Sequence, residues 1–191
     1  MAGRAALVAT WLVALALLIG TAPREASAYP AGAPPGFSGG FGEQSCHACH
    51  FEVETINAKP GQLTLAGVPE RFAAGQQYPL TITLTRPGMA IGGFQLTARI
   101  EDGGAQAGTI ELPPGEKERL AVQAQGNIQY ANQRRGTVPA EPGLVTWTVL
   151  WTAPATTAPV MFHVAANAAD NDGSVRGDYI YTAAARAAPQ Q

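Results

Sequence analysis

Five consecutive residues, Cys46-His47-Ala48-Cys49-His50, contain both cysteines of the chain and two of its three histidines. Two thiols at C-x-x-C spacing, followed directly by a histidine, suit covalent attachment of a c-type haem. Each sulfur adds to one vinyl group, and the histidine ligates the iron. On this pattern Cys46 and Cys49 are the thioether anchors of one haem c, and His50 is its proximal iron ligand. The same residues admit other chemistry. A Cys46–Cys49 disulfide forms in an oxidising compartment. A redox-active C-x-x-C calls for a βαβ context, which this chain does not show. A small zinc or copper site can use both thiols with His47 and His50. Gly39, Gly40 and Gly42, just upstream, let the backbone come close to a bulky macrocycle.

The sixth iron ligand has three candidates. His163 is the one histidine outside the motif, and in Val160-Met161-Phe162-His163-Val164 it shares a strand face with Met161. If Phe162 and Val164 point into a core, Met161 and His163 point outward. Met89, in the Gly88-Met89-Ala90 loop, is the other thioether. Histidine–methionine ligation raises a reduction potential relative to bis-histidine. A position left open suits ligand binding or peroxide chemistry instead of pure electron transfer.

The elements that must hold these residues follow from the rest of the chain. Its N-terminus carries Arg4, an apolar run from Ala5 to Ile19, the breakers Gly20 and Pro23, and then Ala26-Ser27-Ala28. That order is a secretory signal peptide with an A-x-A cleavage site, the other reading being an uncleaved membrane anchor. Cleavage after Ala28 leaves 163 residues with 10 basic and 13 acidic side chains. No later apolar run is long enough to span a bilayer, so an exported, periplasmic or extracellular, soluble protein is expected. A formal net charge of −2 over the full 191 residues argues against a nucleic-acid partner. The 22 glycines and 15 prolines argue against long helical bundles.

Residues 29–60 read as an irregular Gly/Pro-rich leader that carries the motif, draped over the surface. A short helix is conceivable between Cys49 and Ala58. From residue 61 to 185, period-two runs alternate with turn signals. Strands are expected at Gln62–Gly67, Tyr78–Thr85, Phe94–Ile100, Thr109–Leu112, Leu120–Gln123, Val145–Trp151, Val160–Ala166 and Tyr179–Thr182. Val145, Trp147, Val149 and Trp151 share one face, so the two tryptophans read as core and not as an exposed sugar platform. The pattern predicts an all-β, antiparallel immunoglobulin-like sandwich with an N-terminal extension, followed by a tail at residues 186–191. Asp170, Asp172 and Asp178 with Asn171 crowd a turn that could bind calcium through hard oxygens, but the full calcium-loop pattern with its distant Glu is absent, and the turn reads as solvated. Arg176-Gly177-Asp178 spells an adhesion tripeptide of little specificity. No G-x-S-x-G, P-loop or H-E-x-x-H occurs.

Several segments together resemble the bacterial exported family called choice-of-anchor V, whose sandwich is similar to the Reeler domain. They are the Gly-rich leader running into Cys46–His50, Gly61-Gln62-Leu63-Thr64-Leu65, Tyr78-Pro79-Leu80-Thr81-Ile82, Gly93-Phe94-Gln95-Leu96-Thr97-Ala98, Trp151-Thr152-Ala153-Pro154, and Asn167-Ala168-Ala169 through Gly177-Asp178-Tyr179-Ile180-Tyr181-Thr182. The resemblance spans nearly the whole mature chain. It implies a Reeler-like sandwich, export, and a C-x-x-C-H at Cys46, Cys49 and His50. Two departures stand out. There is no sorting or anchoring tail, and Tyr130-Ala131-Asn132-Gln133-Arg134 carries no histidine where many members have one.

Motif and compartment together predict an exported monohaem cytochrome that exchanges single electrons with redox partner proteins, an electron carrier rather than an enzyme. The alternative is an extracellular binding or adhesion module with a Cys46–Cys49 disulfide and no haem. A third reading, a catalytic haem or metal enzyme, requires an open coordination site.

Overall fold

The computed structural model describes Tyr29 and residues 31–190. The signal peptide expected at residues 1–28 lies outside the described residues. Those described form ten strands and two single 3-10 turns: β1 (Gln62–Ala66), β2 (Arg71–Phe72), β3 (Gln77–Thr85), β4 (Ile91–Ile100), β5 (Thr109–Glu111), β6 (Leu120–Gln125), β7 (Ile128–Gln133), β8 (Leu144–Thr152), β9 (Val160–Ala169) and β10 (Tyr179–Pro189). The fold is the expected antiparallel β-sandwich. One sheet has the order β1-β3-β8-β5, the other β2-β10-β9-β4-β7-β6. Every pairing is antiparallel except the short one between β2 and β10.

Alternation in β3 and β8 gives the four-stranded sheet one buried face. Leu80, Ile82 and Leu84 lie beside Val149, Trp147 and Val145, while the intervening threonines sit on the opposite face. The six-stranded sheet answers with Phe94, Leu96 and Ala98 from β4 and with Val160, Phe162, Val164, Ala166 and Ala168 from β9. Trp151 joins the two layers. It packs edge-on against Phe72 at 5.5 Å and Phe162 at 4.8 Å between ring centres. Its indole N–H donates to the Ala107 carbonyl at 2.9 Å, so the ring is buried without an orphaned donor.

The outer face of the six-stranded sheet departs from simple alternation. Gln95, Thr97 and Arg99 of β4 and Asn132 of β7 point away from the sandwich core, yet all are buried. The leader contacts Gln95, Arg99 and Asn132, while the Thr97 hydroxyl donates to the Gln129 carbonyl of β7 at 2.9 Å. The leader is irregular, as expected, but it is pinned: Gln95 accepts from the Phe37 amide at 2.7 Å and donates to the Pro34 carbonyl at 2.9 Å. Asn132 donates to the Ala33 carbonyl at 3.2 Å. Further along the leader, Glu43 receives hydrogen bonds from Arg99, Tyr130 and Ser38. Buried amides and ions are tolerated only when partnered, so the sheet's polar outer face specifies where the leader lies.

Four expectations need correction. Cys49–Ala58 forms no helix; the helical piece is a single 3-10 turn at Cys46–Ala48. β7 and β2 were missed. β7 follows β6 through the two-residue turn Gly126-Asn127, with Gly126 at φ 58°, a hairpin signal that was available in the sequence. Finally, β10 runs to Pro189, so most of the expected tail is strand. Alanine-rich sequence reads poorly as strand, and pairing with β9 along its length overrides that propensity.

Replacing Trp151 with Ala removes the layer-bridging ring and is expected to cost about 3–5 kcal/mol, measured as a lower urea midpoint at unchanged slope. Gln95→Ala strands the Phe37 N–H and Pro34 carbonyl and is expected to cost about 1–3 kcal/mol. In that variant, hydrogen exchange should rise in residues 31–45 while the amides of β8 stay protected.

Candidate functional site

The motif folds as one tight turn. Ser45 caps it by accepting from the His47 amide, and the His50 amide closes on the Cys46 carbonyl at 3.0 Å. One turn of chain brings residues three and four apart to the same side. Cys46, Cys49 and His50 accordingly all line one cavity of about 580 Å³, a volume within the roughly 300–1,000 Å³ range of pockets for small molecules and cofactors. His47 does not line it; its Nε2 meets the Val53 carbonyl at 3.2 Å. Further walls come from the leader near Tyr29 and residues 33–37, the start of β4 at residues 91–94, the end of β9 at Asn167 and Ala169, and the exposed turn at Asn171, Gly173 and Ser174. Most of this lining is apolar. A Cβ on Gly93 would stand 2.5 Å from the Gln133 side-chain nitrogen and would displace the amide that accepts from the Phe94 N–H.

His50 is oriented by a buried carboxylate. Its Nδ1 donates to Asp178 Oδ2 at 2.6 Å, and Asn167 donates to the same oxygen at 3.0 Å. A carboxylate accepts only, so Nδ1 carries a proton, which leaves Nε2 as the nitrogen through which the neutral ring would ligate a metal. Asp178 Oδ1 and Asn167 Oδ1 are buried acceptors without a protein donor. Both residues line the cavity, and acceptors in that state are met by water or by a bound group.

Cys46 and Cys49 are free thiols. Burial of its sulfur, with Cys49 adding to the effect against a backbone hydrogen bond, pushes the Cys46 thiol up to about 12. It is therefore an inert thiol, held neutral until a partner reaches it in the cavity. Among the described residues, no three His, Cys, Asp or Glu side chains are grouped to hold a bare metal ion. An apolar cavity with two thiols and one oriented imidazole at its wall fits a c-type haem in donor set and in size.

None of the sixth-ligand candidates lines this cavity. His163 does lie on the outer face of β9, with Phe162 and Val164 pointing inward. It stands four residues before Asn167, however, which is about 13 Å of strand, and it is roofed by the leader. Phe41 packs edge-on to it at 5.1 Å, and a Cβ on Gly40 would fall 2.1 Å from its ring. Burial, then the nearby Arg99 charge, lowers its pKa. Met161 is two residues farther along β9, and Met89 is buried in the sandwich core. The leader glycines likewise serve docking and not a macrocycle: Gly39 and Gly40 approach the outer face of β9, and none of the three lines the cavity. Two structural readings stand: Trp147 and Trp151 are core, and the Asp170–Ser174 turn is exposed, folded on its own backbone-to-side-chain hydrogen bonds. In Arg176-Gly177-Asp178, the aspartate is buried against His50, so it is not displayed for adhesion. Asp178 and Asn167 are the site residues that sequence reasoning missed. They lie in the Asn167…Asp178 stretch singled out for the resemblance, but nothing in the sequence ties them to His50.

No family model and no curated relative matches the chain. Solved structures similar to it include the Reelin-N domain of F-spondin, at 19% identity over 72% of this chain and 91% of that chain, TM-score 0.49. A human F-spondin reeler domain follows at 19% identity, 71% and 93% coverage, TM-score 0.47. A cohesin module from a family 33 glycoside hydrolase of Clostridium perfringens is similar at 9% identity, 68% and 96% coverage, TM-score 0.46. No helix among the described residues is long and apolar enough to cross a membrane.

Two outcomes follow. With a thiol near 12, fewer than about one Cys46 in a thousand is thiolate at pH 8.5, so iodoacetamide should alkylate Cys46 of the haem-free protein far more slowly than a free cysteine, at a rate that recovers on denaturation. Unfolded His163 takes a proton near pH 6.5 that the folded residue refuses. Stability should therefore fall as the pH drops below about 6.5, and His163→Gln should flatten that part of the profile.

Proposed function

We propose that the chain is an exported electron-transfer protein carrying one covalent haem c, attached through Cys46 and Cys49 with His50 on the iron. One observation carries this: the two thiols and an imidazole oriented by Asp178 meet at the wall of a single, mostly apolar cavity of about 580 Å³. The haem supplies a one-electron iron couple. The protein's own part is to anchor, orient and shield. The Cys46–His50 turn sets the anchors, Asp178 holds the imidazole and raises its basicity, and the leader and the start of β4 exclude water. A proximal imidazole hydrogen-bonded to a carboxylate favours the ferric state, which lowers the reduction potential. Partners on this reading are redox proteins docking at the open side of the cavity. Export rests on the signal-peptide pattern, and assignment to the choice-of-anchor V family rests on the segments quoted above.

The test is expression of the full chain in a bacterium with a haem-attachment system. The mature protein should show a Soret band, a mass higher by one haem and a positive pyridine haemochrome. Cys46→Ala combined with Cys49→Ala should abolish covalent haem, and Asp178→Asn should raise the potential while retaining it. A mature mass two protons below the sequence value, without a Soret band, would replace this function with the disulfide-bearing binding module.

A further inference from the structure

We propose that the open edge of β10 pairs antiparallel with the same edge of a second copy of this chain, with Ala184 of each copy opposite Arg186 of the other. β2 meets β10 only at Ala188 and Pro189, so β10 ends the six-stranded sheet for the rest of its length. Main-chain hydrogen bonds show which residues of β10 face outward. The Ile180 carbonyl accepts from the Asn57 amide at 2.9 Å, and the Thr182 amide donates to Asn57 Oδ1 at 2.9 Å. At the other end, the Ala188 and Gln190 amides donate to the Glu70 and Phe72 carbonyls, each at 2.9 Å. Backbone groups alternate sides along a strand, so the even-numbered residues turn away from β9 and the odd-numbered ones carry the ladder to it. Asn57 and β2 thus close the two ends of this edge. Between them, Ala184 and Arg186 keep outward amides and carbonyls with no partner among the described residues, and both residues are exposed.

The pattern of open groups selects a second copy as the occupant. With Ala184 opposite the partner's Arg186, every outward N–H and C=O of these two residues is used, in both copies. A register that set the two Arg186 side chains opposite one another would be opposed by their like charge. In the proposed register each Arg186 stands beside an alanine, and its charge is met within its own chain by Glu101, at 2.9 and 3.1 Å. The usual protections of a sheet edge are missing. The pairing of β10 with β9 runs from Tyr179 to Ala187 without a bulge, and that stretch contains no proline. Edges left in this state are templates for another strand. The two-fold axis of such a pair stands perpendicular to the joined sheet, so the leader-covered faces of both copies lie on the same side. The inference stands apart from the haem reading, because nothing in it depends on what the cavity holds.

Sedimentation equilibrium on the processed full chain tests this, from about 1 μM to about 1 mM, with hydrogen exchange read at both ends of the series. The expected result is a monomer–dimer equilibrium. The Ala184 and Arg186 amides should exchange more slowly as the dimer forms, while those of the other edge strand, β6, stay unchanged. Ala184→Pro removes an outward N–H that β9 does not use, a position where an edge strand tolerates proline. It should weaken association at least roughly tenfold, the scale of about two net hydrogen bonds. Ala184→Arg, at an exposed position, brings like charges together across the pair and should also weaken association at least roughly tenfold, with an unchanged urea midpoint. Where Ala184→Pro lowers the urea midpoint, Ala184→Arg decides. A chain that is monomeric throughout, a dimer that Ala184→Arg leaves as strong, or protection that appears in β6 instead of at Ala184 and Arg186 each overturns the proposal.

Discussion

The docking of the leader onto the outer face of the six-stranded sheet is the constraint on which the site depends. A sandwich needs only one buried face per sheet, and the inner face of this sheet is filled without help from the leader. The outer face carries Gln95, Thr97, Arg99 and Asn132 at positions that water would ordinarily satisfy. Covering them with chain obliges each to find a protein partner. The leader offers backbone carbonyls and amides at residues 33–37 and the Glu43 carboxylate farther on, and so it is held by directional bonds. A greasy contact would leave it free to slide; hydrogen bonds of fixed length fix its register.

That register places the motif. Once Gly40 and Phe41 sit on His163, and Glu43 meets Arg99, only a few residues separate the leader from Cys46. The 3-10 turn must then begin near the end of β9, where Asn167 and the buried Asp178 wait. The cavity is lined jointly by the leader near residues 33–37, the motif, the glycine-rich start of β4 and the end of β9. His163 has a clear role in this arrangement. It is a floor tile for the leader, its pKa lowered first by burial and then by the Arg99 charge, and its outward orientation serves contact rather than coordination.

The sandwich was legible because alternation is a local property. Strands such as β3 and β8 show period two with threonine outward, and such a pattern has one good burial solution. The sequence pattern cuts β10 short because alanine carries almost no alternation signal, and it leaves out β7, whose polar Asn132 and Gln133 are buried in the sheet. β7 is covered on two faces, so its outward Asn132 need not be exposed, whereas the alanine-rich end of β10 keeps exposed positions at Ala184 and Arg186.

For the site, the sequence by itself determined the reacting groups. Spacing of two thiols and an imidazole within five residues is a local constraint, and one turn of chain necessarily presents them together. Tertiary structure alone decided what faces them. Asp178 is 128 residues from His50, and the leader is held at the cavity by side-chain amides of β4 and β7 that grip the Pro34 and Ala33 carbonyls. Such pairings depend on sheet order and register, and no periodicity in a single sequence encodes which buried polar groups will meet.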